Sequence, residues 1–133
     1  MNTKVLMTAS AIILAAAGVI LTFIPEEILT YNNLEATKPL QFIIQILGAL
    51  YFAFGMLNWM TKTSLIGGIY NRPIAVANFA HFFIAGLALI KGLISDSGMP
   101  YFIWIVTSFY LILAVAFGFI LFWHPLSKNN PQD

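Results

Sequence analysis

The chain has 133 residues, of which 60% are hydrophobic and 8% carry charge, with 6 Lys and Arg against 5 Asp and Glu. A soluble domain carries roughly 25% charged residues, so this chain cannot cover a water-facing surface of ordinary size, and its mean hydropathy of +0.88 agrees. These figures point to an integral membrane protein and exclude most soluble enzyme folds; a net charge of +1 gives no footprint for nucleic acid, and the absence of cysteine excludes thiol exchange, thiolate zinc and iron–sulfur chemistry.

The first apolar run, Val5 to Ile24, reaches the roughly 20 residues that a membrane-crossing helix needs. Met1 to Lys4 ahead of it and Ala15-Ala16-Ala17 within it resemble a signal peptide with a cleavage region, but the run reads as a span. It stops at Pro25-Glu26-Glu27. Proline at the first position and acids in the first turn make Pro25-Glu26-Glu27-Ile28-Leu29 the expected start of a short helix, lying along the outer membrane surface. The second run, Pro39 to Met60, lies between Lys38 and Lys62. After it, Gly67-Gly68-Ile69-Tyr70-Asn71-Arg72-Pro73 predicts tight turns. The third run, Pro73 to Ile94, holds Lys91 near its far end, where the ammonium can reach the interface. A short connection, Ser95 to Pro100, makes the third and fourth helices antiparallel neighbours. The fourth run, Tyr101 to Trp123, stops at His124-Pro125 and a polar tail. Pro39, Pro73 and Pro100 stand at helix starts, where a missing N–H costs nothing.

The expected fold is all-α: one transmembrane domain over residues 1–133, a four-helix bundle running up-down-up-down. Lys4, Lys62, Arg72 and Lys128 fall on one side of the membrane, and Lys38 and Lys91 on the other with Glu26, Glu27, Glu35 and Asp96. This bias predicts a bacterial inner-membrane protein with both termini in the cytoplasm. Each run carries small or polar residues at helical spacing: Thr8, Ala11, Ala15, Gly18 and Thr22 in the first; Gln41, Gln45, Gly48, Phe52, Gly55 and Trp59 in the second; Asn71, Ile74, Asn78, His81, Ala85, Ala88 and Gly92 in the third; Thr107, Leu111, Ala114 and Gly118 in the fourth. Such stripes let helix backbones approach. The opposite faces, and the aromatic residues of the fourth run in particular, are expected against lipid.

Polar side chains within the runs are the candidates for function. Asn58 lies near the cytoplasmic end of the second run, and Asn78 and His81 lie about 8 Å and about 12 Å inside the third at the helical rise per residue. Trp59, Lys62, Tyr70, Arg72 and His124 ring the same mouth. One reading is a polar pocket with His81 as acid or base, Asn58 and Asn78 orienting a ligand, and Lys62 and Arg72 holding an anionic headgroup. The other is that Asn78 and His81 hydrogen-bond across helices and set register. Several chemistries do not fit. His81 and His124 lie at different depths, which disfavours bis-histidine haem. The runs contain no Asp or Glu for a zinc or di-iron site, and the first run lacks the buried Glu of a small multidrug exporter. No cofactor and no metal is implied.

Gly55-Met56-Leu57-Asn58-Trp59-Met60-Thr61-Lys62 and the Gly67–Pro73 segment resemble small uncharacterised bacterial four-helix membrane proteins. Asn71-Arg72-Pro73 followed by His81-Phe82 is similar to the four-span ergosterol-biosynthesis scaffold protein of fungi. That family commonly carries Glu two or three positions after its His-Phe, where Ile84 and Ala85 stand here. The resemblance implies tethering of membrane enzymes or handling of a flat lipophilic ligand, with His81 the one residue carried across. The sequence thus favours a non-enzymatic scaffold or lipophilic-ligand-binding bundle whose partners are membrane lipids, a membrane protein or a second copy of itself. The alternative is a membrane enzyme or transporter for a quinone- or isoprenoid-type substrate, with His81 as acid or base.

Overall fold

A computed structural model describes residues 2–64, 70–96 and 98–123. The described residues form helices and no strand: α1 (Thr3–Phe23), α2 (Pro25–Tyr31), α3 (Lys38–Thr61), α4 (Arg72–Ser95) and α5 (Tyr101–Trp123). Four of these are long and apolar enough to cross a membrane. They begin and end within two residues of the apolar runs. The largest difference, at the start of α1, has a local cause. The Asn2 side chain accepts a hydrogen bond from the Lys4 amide at 3.1 Å, capping the helix ahead of the first apolar residue. The expected turn at Gly67-Gly68 and the tail from His124 onward lie outside the described residues.

The chain divides into two compact units, Met1–Thr63 and Ser64–Asp133. In the first, α1 packs against α3 and the short α2 joins them. Pro25 opens α2 with Glu26 and Glu27 in its first turn, and its side chain is buried, as is Leu29. α2 ends on Asn33, whose φ of 56° is left-handed. The Leu34 amide donates to the Leu29 carbonyl at 2.9 Å and the Asn33 amide to Thr30 at 3.0 Å, the pattern that closes a helix through a left-handed residue.

The α1–α3 seam is a contact between backbones. A Cβ built on Gly18 would stand 2.5 Å from the Phe52 amide nitrogen and 2.7 Å from the Gly48 carbonyl oxygen. One on Gly48 would meet the Thr22 hydroxyl and stand 2.7 Å from the Thr22 nitrogen, and one on Gly55 would stand 2.7 Å from the Ala15 nitrogen. These pairings descend α1 while ascending α3, so the helices run antiparallel. Thr22 turns its hydroxyl back to the Gly18 carbonyl at 2.8 Å, which keeps this polar atom satisfied at the crossing.

In the second unit α4 packs against α5 through large side chains. The Phe82 and Phe117 rings stack 5.7 Å apart, and Tyr110 meets Phe82 edge-on at 5.4 Å. Phe79 stacks on Phe83 at 5.2 Å and meets Phe122 edge-on at 5.6 Å. This corrects the expectation that the aromatics of the fourth run face lipid, since Tyr110 and Phe117 are buried. The small-residue stripes also need correction. Phe52, Trp59 and Ala88 are exposed, while Met7, Ser10, Leu14, Phe82, Leu93, Leu113 and Ile120 are buried. Helix surfaces separate away from a close crossing, and longer side chains then fill the gap. Small size marks only the points of closest approach.

The seam makes a paired prediction. Gly55→Ala should lower stability by about 1–3 kcal/mol, because its methyl meets the Ala15 backbone and not a mobile side chain. Gly92 has nothing within 4 Å of a built Cβ, so Gly92→Ala should be neutral or raise stability by up to about 1 kcal/mol through helix propensity. Thermal unfolding in a mild detergent compares the two.

Candidate functional site

The residues expected to line a pocket divide between the two units, with Asn58, Trp59 and Lys62 in the first and Tyr70, Arg72, Asn78 and His81 in the second. Their local settings differ. Asn58 is fully buried on α3, where its Nδ2 donates to the Ser10 hydroxyl of α1 at 3.1 Å. Ser10 in turn donates to the Met7 carbonyl at 3.1 Å. A buried amide is thereby tied to a buried hydroxyl, one helical turn from the Gly55 contact. In a setting without water such a pair favours one register, because sliding either helix breaks the bond between the buried amide and the buried hydroxyl. Ser10 was not among the residues expected to matter. The signal was there, since it lies one position from Ala11 on the small-residue face of the first run.

Trp59 and Lys62 come together. The Lys62 ammonium sits 3.0 Å from the centre of the Trp59 ring, one turn further along the chain, in a cation–π contact. Trp59 remains 45% exposed and also borders an apolar groove between α1 and α3. The glutamines of α3 are engaged within the first unit. Gln41 Nε2 donates to the Ala36 carbonyl at 3.1 Å, and Gln45 Nε2 reaches the Thr22 carbonyl of α1 at 3.4 Å.

In the second unit, Asn78 is fully buried and its Nδ2 donates to the Ile74 carbonyl one turn back at 2.9 Å. His81 lies among rings: its centroid is 5.0 Å from that of Phe82 and 5.6 Å from that of Tyr110 on α5. Tyr110 is therefore the neighbour of His81 that the sequence reading missed. Its only signal was a phenol among many aromatics. Tyr70 is 95% exposed and Arg72 is exposed at the first residue of α4, so both present polar ends away from the packed face. His124 lies outside the described residues. Among the described residues no cluster of three His, Asp or Glu side chains could hold a metal ion.

Chemically, the arrangement offers amide and hydroxyl groups bound to the chain itself, an imidazole among aromatic rings and a lysine held on an indole. No carboxylate lies in any long helix to partner the imidazole. No protein-family model matches the chain, and no curated protein or solved structure matches it either.

The Asn58–Ser10 pair predicts a measurable coupling. In a double-mutant cycle of Asn58→Leu and Ser10→Ala, the interaction energy should be about 0.6 kcal/mol and at most about 1.7 kcal/mol. Additive single effects would mean that the bond contributes nothing to pairing.

Proposed function

We propose that the chain is a multi-pass membrane protein, a four-helix bundle with both termini in the cytoplasm, that acts as a non-enzymatic scaffold or lipophilic-ligand-binding bundle. The observation that carries this reading is where the polar groups of the helices go. Asn58, Ser10, Asn78 and Gln45 each bond within the chain, and the long helices contain no acid that could serve a proton-transfer site. A catalytic or transport site needs convergent polar groups aimed at a substrate. Bulky apolar side chains point outward on every long helix, Val5, Ile12 and Ile20 on α1, Phe42 and Ile46 on α3, Ile84 on α4 and Ile112 on α5. Such faces suit lipid and membrane-embedded partners, whether another protein or a second copy. Tethering of membrane enzymes, which the likeness at Asn71-Arg72-Pro73 and His81-Phe82 implies, is one form this role takes.

His81 is the residue on which a second reading would rest, as acid or base toward a quinone- or isoprenoid-type substrate, because Tyr110 supplies a hydroxyl-bearing ring 5.6 Å away. Native mass spectrometry of gently extracted wild-type and His81→Ala protein separates the two. The scaffold form of the proposal predicts the same retained masses in both. Loss of one specific small molecule from His81→Ala, with unchanged thermal stability, would place ligand binding at His81, and chemical conversion or transport of that molecule by the wild type alone would favour the enzyme or transporter. Orientation has its own check: a cysteine placed at Ser64, the first in this chain, should stay unlabelled by an impermeant maleimide added outside intact cells.

A further inference from the structure

The groove between α1 and α3 has a volume of about 190 Å³ and is lined by Ala11, Ile12, Ala15, Gly55, Met56 and Trp59. Ile12 and Met56, on its rims, are exposed, so the groove opens outward. Its floor is made of the small residues of the seam, where no side chain is long enough to fill it. A second helix, about 10 Å across, cannot enter a space of this size between two branched or long rims. A single extended hydrocarbon chain can. Trp59 also lines the groove, and the Lys62 ammonium lies 3.0 Å from its ring centre.

Charge is divided unevenly between the two ends of this helix pair. Because α1 and α3 are antiparallel, with Ser10 opposite Asn58, Lys4 and Lys62 fall at the same end. Every acid of the unit, Glu26, Glu27 and Glu35, falls at the other, on α2 or the segment after it. Among the described residues of this unit, the end that carries the groove's Trp59 thus has positive charge and no carboxylate. A lysine held against an indole keeps most of its hydrogen-bonding capacity, since the ring face takes none of its three N–H donors in a conventional bond.

We propose that this groove binds one anionic phospholipid, with an acyl chain along Ala11, Ala15, Gly55 and Met56 and the headgroup phosphate at the Lys62 ammonium beside Trp59. The proposal rests on the reading of the chain as a lipid-embedded, non-enzymatic protein and names the ligand class and its place. Lys4 adds charge at the same end but no contact is assigned to it. The apolar lining excludes a free phosphate as the main ligand, and the uncompensated lysines select an anionic over a zwitterionic headgroup.

The full chain, reconstituted in nanodiscs of mixed phosphatidylglycerol and phosphatidylcholine and released for native mass spectrometry, tests this. Wild type should retain one phosphatidylglycerol in preference to phosphatidylcholine. Lys62→Gln should lower that preference about fivefold, as expected for one lysine at an anionic surface. Lys91→Gln, which removes an exposed lysine of α4, should leave it unchanged. Met56→Trp fills the groove from its exposed rim and should reduce retention of both lipids. If Met56→Trp fails to fold, the Lys62→Gln comparison decides alone. Equal retention of the two lipids by wild type, or an unchanged preference in Lys62→Gln, overturns the proposal. So does displacement of the lipid by excess inorganic phosphate, or a Met56→Trp protein that keeps its lipid but loses self-association. Recovery of the retained phospholipid with an altered mass would instead overturn the non-enzymatic reading itself, whatever Lys62→Gln does.

Discussion

Three glycines hold α1 and α3 closer than any side chain would allow, and the first unit depends on that approach. Gly18, Gly48 and Gly55 bring backbone against backbone at successive points along the pair. In lipid this matters more than in water. Apolar side chains gain nothing by leaving one hydrocarbon surroundings for another, so helix pairing rests on packing and on the few hydrogen bonds available. The glycine contacts supply the packing. The Ser10–Asn58 bond and the longer reach of Gln45 to the Thr22 carbonyl supply side-chain bonds across the pair that depend on register. The groove beside Trp59 follows from the same constraint: close backbones with small side chains leave a furrow at the seam's edge, and the longer residues of each helix become its rims.

The second unit meets the same constraint in the opposite way. Gly86 on α4 approaches α5 only to ordinary contact distance, with Leu111 and Tyr110 beyond it. The pair is held by rings, through Phe82, Tyr110 and Phe117, with Phe79, Phe83 and Phe122 continuing the row. Offset and edge-on ring contacts have preferred geometries and add to dispersion. His81 belongs to this row, so its imidazole is part of the packing of α4 on α5.

The helices themselves were legible in the residues. Proline at positions 25, 39, 73 and 100 marked where α2 to α5 begin, and charges at or beyond the ends of the runs, with only Lys91 inside one, marked their limits, because a span must satisfy its backbone internally and shed its charges. Gly18, Gly48 and Gly55 were legible as contact points, since small residues at helical spacing have few other uses. The large members of the buried faces were not. Phe82 and Phe117 are chemically the same as Phe83 and Phe119, which are exposed. When both faces of a helix are apolar, periodicity cannot say which Phe meets a helix and which meets lipid. The candidate site was legible by residue type only. Asn58 stood out as polar in an apolar run, but its partner Ser10 could be paired with it only once the antiparallel register of α1 and α3 was known.

The central claim is that α1 and α3 cross a bilayer as an antiparallel pair in the register set by their glycines. Cross-linking in isolated membranes tests it directly, because the chain has no native cysteine. A protein carrying Ser10→Cys and Asn58→Cys should stay with the membrane through an alkaline carbonate wash and form an intramolecular disulfide on mild oxidation. Release of the protein by the wash, or faster cross-linking of Ser10→Cys with a cysteine at Gln45 than with one at Asn58, would contradict it.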